Sequence, residues 1–92
     1  MKTTLTLKHR VTIRPDAVVE LDVNECVTVL EDKLAVFFVR DSLTRLGLDA
    51  HNFKCDPGFT GVPKGIVVKN RGVSSVELLI DMEIGELWQL SL

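Results

Sequence analysis

The chain has 92 residues, 46% of them hydrophobic, with 11 basic and 13 acidic side chains and a formal charge of -2. A length of this order predicts one domain with a thin margin of stability, and so much apolar side chain on so small a body points to self-association. The weak negative charge has no basic stripe, the longest apolar run (Leu34 to Val39) is far short of the ~20 residues that cross a bilayer, and the N-terminus lacks a signal-type apolar region. A cytoplasmic protein that binds neither nucleic acid nor membrane is expected.

In chain order, the pattern is that of short strands separated by turn residues every eight to twelve or so positions, the mark of an all-β sandwich or barrel. Thr3 to Lys8 alternates, with Leu5 and Leu7 on one face. Arg14-Pro15-Asp16 is a turn, followed by strands over Ala17 to Leu21 and Glu25 to Leu30, with Asp22-Val23-Asn24 between them. Leu34 to Val39 is apolar without a break, which predicts a strand buried on both faces. Asp41 to Gly47 is the one helical turn, Asp41 capping its start and Gly47 closing its end. Asp56-Pro57-Gly58 is a tight turn, Gly65 to Lys69 a strand, and Asn70-Arg71-Gly72 another turn. Val76 to Ile80 and Glu86 to Leu92 complete seven or eight strands, the last with Trp88, Leu90 and Leu92 on one face. Cys26 and Cys55 have no C-x-x-C spacing and, except for His51 beside Cys55, no nearby Cys or His in metal-ligand register; free thiols are expected over a disulfide or a metal site, and His9, between Lys8 and Arg10, is expected to be a solvated surface residue.

Three segments carry a resemblance. Arg40-Asp41-Ser42-Leu43-Thr44-Arg45-Leu46-Gly47-Leu48 is similar to the R-S-S-L-x-R-L-G-L phosphate motif of dCTP deaminases. Asp56-Pro57-Gly58-Phe59-Thr60-Gly61 matches their D-P-G-F/W-x-G hairpin, and Met82-Glu83-Ile84-Gly85-Glu86-Leu87 resembles the turn before their last core strand. Asn70 falls where those proteins close the strand after the hairpin. From about Val11 to its C-terminus the chain therefore resembles the dCTP deaminase and trimeric dUTPase superfamily. The resemblance implies a dUTPase-like β-barrel or β-clip, homotrimeric, with a nucleotide held in pockets between subunits. It places Arg40, Ser42 and Arg45 on the phosphates, and Asp56 and Phe59 on the sugar.

The departures from the family narrow the chemistry. Asp41 stands where the motif has serine and brings negative charge to a site that receives phosphates, so it is a binding residue of altered character. Deamination needs a carboxylate to move protons between water, ring nitrogen and leaving amine. The resemblance places it at Val67, which cannot serve, and the shorter stretch between Leu48 and Asp56 alters base recognition. In a dUTPase the hairpin aspartate orients a water toward the α-phosphorus, with Mg²⁺ held largely by the nucleotide phosphates. Asp56 would be that catalytic residue, but the expected glycine-rich closing arm and upstream G-Y-D-L type motif are missing.

Three classes of function follow. The first is capture of a nucleotide or nucleotide-derived signal without turnover, as a sequestering or sensing protein of viral type. The second is a minimal dUTP diphosphatase, and the third a structural oligomer that has lost its site. Arg40, Ser42, Arg45, Asp56 and Phe59 favour the first two over the third, while the absent glutamate and arm favour the first.

Overall fold

A computed structural model describes residues 1–92 as eleven short strands and one helical turn. The strands are β1 (Lys2–Thr6), β2 (Val11–Ile13), β3 (Val18–Leu21), β4 (Val27–Thr28), β5 (Lys33–Val39), β6 (Leu48–Ala50), β7 (Lys54–Cys55), β8 (Thr60–Gly61), β9 (Ile66–Asn70), β10 (Val76–Leu78) and β11 (Glu83–Ser91). The helix α1 (Asp41–Arg45) follows β5. Every strand pair is antiparallel. The longest sheet has the order β1-β11-β5-β7, with β3-β9-β6, β10-β2 and β4-β8 as smaller pieces. Their inner faces enclose 18 buried residues, among them Leu5, Ile13, Leu43, Leu48, Ile66, Val68 and Leu87.

The all-β expectation holds, and the differences in detail have physical causes. β6, β7 and β8 are too short to show alternation, and β2 is likewise only three residues long. Glu25 to Leu30 is paired only at Val27 and Thr28. β5 is not buried on both faces: Ala35 and Phe37 point into the core, whereas Leu34 and Val36 are half-covered and Phe38 is 54% exposed. A continuous apolar run can reflect two covered faces, or one core face and one that a partner must cover.

β9 ends on the one buried polar side chain, Asn70. Its amide donates to the carbonyls of Ile13 and Ser74, both at 2.9 Å, and its carbonyl accepts from the Gly72 N–H at 2.9 Å. All of its polar atoms are thereby satisfied, which makes burial affordable.

Candidate functional site

The Asp56 hairpin is fixed by its own sequence. Asp56 O accepts from the Phe59 N–H at 3.1 Å, Pro57 takes the second position, and Gly58 the third with φ +83°, the arrangement of a type II turn. The Gly58 N–H donates to Val29 O at 3.0 Å and the Val29 N–H to Phe59 O at 2.8 Å, pinning the turn to the β4–β5 connection. Phe59 packs on the core, while the Asp56 side chain is 75% exposed and meets Lys54 Nζ at 3.0 Å. Behind it Cys55 is buried, and that burial, helped by the negative charge of Asp56, pushes its thiol pKa up. Cys26 is an exposed free thiol.

At the far end of β5, Arg40 rather than Asp41 is the N-cap: its backbone is extended and its carbonyl accepts from the N–H groups of Leu43 and Thr44. Asp41 is already the first helical residue, and no side chain caps the helix. Gly47, at φ +103°, closes it with a 3.0 Å bond to Thr44 O, and an added Cβ there would stand 2.6 Å from the Gly72 nitrogen. The Arg40 N–H donates to Ile84 O at 2.9 Å, so the first and third sequence segments meet.

A cavity of about 480 Å³ lies where they meet, lined by Phe38, Arg40, Asp41, Glu83, Glu86 and Trp88 among others. Glu83 reaches it through a β-bulge. Against β1, Leu5 pairs with Gly85 but Thr6 with Glu83, so Ile84 is the extra residue; Ile84 and Gly85 are then both buried and Glu83 turns outward. Glu86 bonds to Lys2 Nζ at 2.8 Å and accepts from Trp88 Nε1 at 3.2 Å. These contacts, the lysine first, hold its carboxyl below the usual range, and the same partner raises the Lys2 pKa. Ser42 and Arg45 are exposed on the helix and do not line this cavity. Sequence reasoning missed Glu83, Glu86 and Trp88, because only strand pairing reveals the bulge; Gly85, where an added Cβ would lie 2.3 Å from Phe38 O, is its one sequence trace.

One chain does not bring all the expected site residues together. Cys55 pairs with Ala35, so Arg40 lies five residues further along the β5 direction and Asp56 runs the opposite way. At ~3.3 Å per residue the two ends are about 17 Å or more apart. A sugar on Phe59 and the phosphate attached to it do not reach Arg40 of the same chain. At Val67, β9 has no carboxylate of its own, but Glu20 of β3 stands directly opposite in register.

An antiparallel all-β body with a D-P-G hairpin at one end of its central strand and an arginine-bearing helical turn at the other is of the dUTPase-like class. The family model for dCTP deaminase-like proteins matches residues 1–89, and the chain belongs to that family. Among solved structures, the fold is similar to the dUTPase of EIAV, with 18% identity, a TM-score of 0.86, and coverage of 96% of this chain and 72% of that one. It is equally similar to a mutant Staphylococcus bacteriophage 80alpha dUTPase with dUpNHpp, at 13% identity and TM-score 0.86 over 99% of this chain and 72% of that one. A mutant dUTPase from phage phi11 of S. aureus matches at 12% identity and TM-score 0.86, over 99% of this chain and 76% of that one. A search of curated protein sequences found no match.

Proposed function

We propose that copies of this chain bind a phosphorylated nucleotide in pockets shared between subunits, and that the chemistry open to them is dUTPase-type diphosphate hydrolysis rather than deamination. The exposed Asp56 carboxylate carries this reading: it stands on a rigid turn above a half-buried Phe59, tied only to the exposed Lys54. The fold shared with dUTPases supports it. Phe59 supports the sugar, and Asp56 accepts a hydrogen bond from a water and aims it at the α-phosphorus. An oxygen–phosphorus bond forms there, the bridging α–β bond breaks, pyrophosphate leaves, and the water's proton passes to Asp56. No three His, Cys, Asp or Glu side chains converge as a metal cage, so Mg²⁺ would be held by the nucleotide phosphates. Because Arg40 and Asp56 are at opposite ends of β5, a neighbouring copy would bring its Arg40 to the phosphates.

Capture without turnover is the second reading, and Asp41 favours it. With Glu83 it makes the Arg40 cavity more acidic than basic, which disfavours a bare triphosphate. Incubation with dUTP or dCTP and Mg²⁺, resolved by chromatography, separates the readings. The expected outcome is dUMP and pyrophosphate from dUTP, lost in Asp56→Asn, with dCTP not converted to dUTP. Tight binding without product would establish capture. A uracil nucleotide formed from dCTP would overturn the exclusion of deamination and point to Glu20 as the proton carrier opposite Val67. Absence of both binding and product would leave the structural oligomer.

A further inference from the structure

A separate cavity of about 370 Å³ shares no lining residue with the one at Arg40 and takes none from α1 or the Asp56 turn. Three connecting segments form it. Lys8 and His9 come from the turn between β1 and β2, Asp22 and Asn24 from the β3–β4 connection, and Val62, Pro63 and Lys64 from the β8–β9 connection. Its frame is fixed: the Lys8 N–H donates to Asp22 O at 2.8 Å, Leu7 bridges Val23, and the Asn24 amide donates to Thr6 Oγ1 at 2.9 Å and Asp81 Oδ1 at 3.1 Å. The ion pairs of the chain engage Lys2, Arg10, Lys54 and Arg71. Lys8, His9 and Lys64 are exposed and make neither an ion pair nor a side-chain hydrogen bond. The half-buried Asp22 lines the same cavity and is in ion-pair contact with none of them. Two lysines against one carboxylate leave this concavity positive on a chain whose formal charge is -2.

From this arrangement we infer that the cavity is a second anion site, taking a phosphate dianion, free or as a small phosphomonoester, between Lys8 and Lys64. Each ammonium offers three donors as a point charge, and the His9 imidazole offers at least one N–H whatever its protonation state. Asp22 shapes the choice between the two sources. Its carboxylate repels a bare dianion but accepts a hydrogen bond from a hydroxyl carried beside the phosphate, so the ester is the better fit. The volume, at the lower end of small-molecule sites, leaves room for such a body against Val62 and Pro63. In the sequence Lys8-His9 is an isolated basic pair; Lys64 joins it only through the fold. The site stands independently of the nucleotide reading of Asp56.

The test titrates inorganic phosphate and glycerol 3-phosphate into the whole chain at constant pH and ionic strength, followed by ¹⁵N–¹H spectra. Backbone resonances of Lys8, His9, Asp22, Asn24 and Lys64 are expected to move with both. Lys8→Gln and Lys64→Gln should each weaken both probes about 2- to 5-fold, the range of exposed charge pairs. Asp22→Asn acts in the opposite direction on inorganic phosphate, strengthening it by a similar factor, and reduces the preference for the ester. Arg14→Gln removes the same charge from an exposed turn outside the cavity and should leave both affinities unchanged. Both lysines are exposed, so their variants keep the fold. Tighter binding of glycerol 3-phosphate assigns the site to an ester, and tighter binding of inorganic phosphate assigns it to the free ion. Weakening by Arg14→Gln equal to that of the lysine variants would show a response to net charge alone and overturn the site. Half-saturation above about 100 mM would mean an adventitious ion only, and overturns it as well. Resonance shifts confined to the Arg40 corner or the Asp56 turn would give the phosphate to the nucleotide site and leave this cavity without a ligand.

Discussion

Arg40 works through two separate groups. Its backbone caps α1 and bonds to Ile84 O, while its guanidinium has no partner in the chain and faces the acidic cavity. Arg40→Ala therefore keeps every hydrogen bond that organises this corner and removes only the free cation. The expected result is a loss of ~1.5–3 kcal/mol in nucleotide binding by calorimetry with an unchanged melting temperature for the free protein. A fall in that melting temperature would mean the side chain is structural. Asp41→Ser tests the neighbouring carboxylate: if the ligand is a triphosphate, affinity rises as repulsion is relieved. Arg40, Asp41, Ser42, Arg45, Asp56 and Phe59 could be named as candidates from the sequence, because each sits in a short motif whose residues are adjacent in the chain; that Ser42 and Arg45 stand outside the Arg40 cavity could not. Glu83 and Glu86 were not, since their place beside Arg40 depends on pairing across the sheet.

Among the elements, β9 is held by a side chain as much as by its ladder. Asn70 links the end of β9 to Ile13 in β2 and to Gly72 and Ser74 in the turn leading to β10. Asn70→Ala leaves two carbonyls and one N–H without their partner; the bond to the Ile13 carbonyl is buried, while those to Ser74 and Gly72 are part-buried in the turn and open to water. At ~1–3 kcal/mol for a buried group left unsatisfied, a loss of about 1–3 kcal/mol is expected in denaturant unfolding. A change below about 1 kcal/mol would mean that the turn rearranges to satisfy itself. The sequence marked Asn70 as the end of a strand but did not show what its amide binds, because Ile13 is distant along the chain. The same distinction explains β5: apolarity was legible, but which of its faces a single chain covers was not.

The whole molecule leaves a coherent apolar face uncovered. Trp88 pairs with Val36 and Leu90 with Leu34, so these four side chains and Phe38 share the outer side of β5 and β11. Phe38 is 54%, Leu90 46% and Trp88 37% exposed, an arrangement unfavourable in water for a lone small domain. At one edge Lys2 anchors Glu86, which orients the indole. Glu86 has a lowered pKa, so its contribution is present above the ordinary carboxylate range and lost as pH falls through the lowered value. Lys2 has a raised pKa, so its contribution is present below the ordinary lysine value and lost as pH climbs through the raised one. Near pH 7 the pair is intact and does not confuse a measurement of assembly. We expect a homotrimer, about 31 kDa from three 10.3 kDa chains, by light scattering on an eluting peak at pH 7. Trp88→Glu should shift it toward monomer by placing a charge in the apolar face, and abolish nucleotide binding along with assembly. A monomer that still binds nucleotide at micromolar concentration would refute the shared pocket, because Arg40 and Asp56 of one chain cannot both meet the same phosphate.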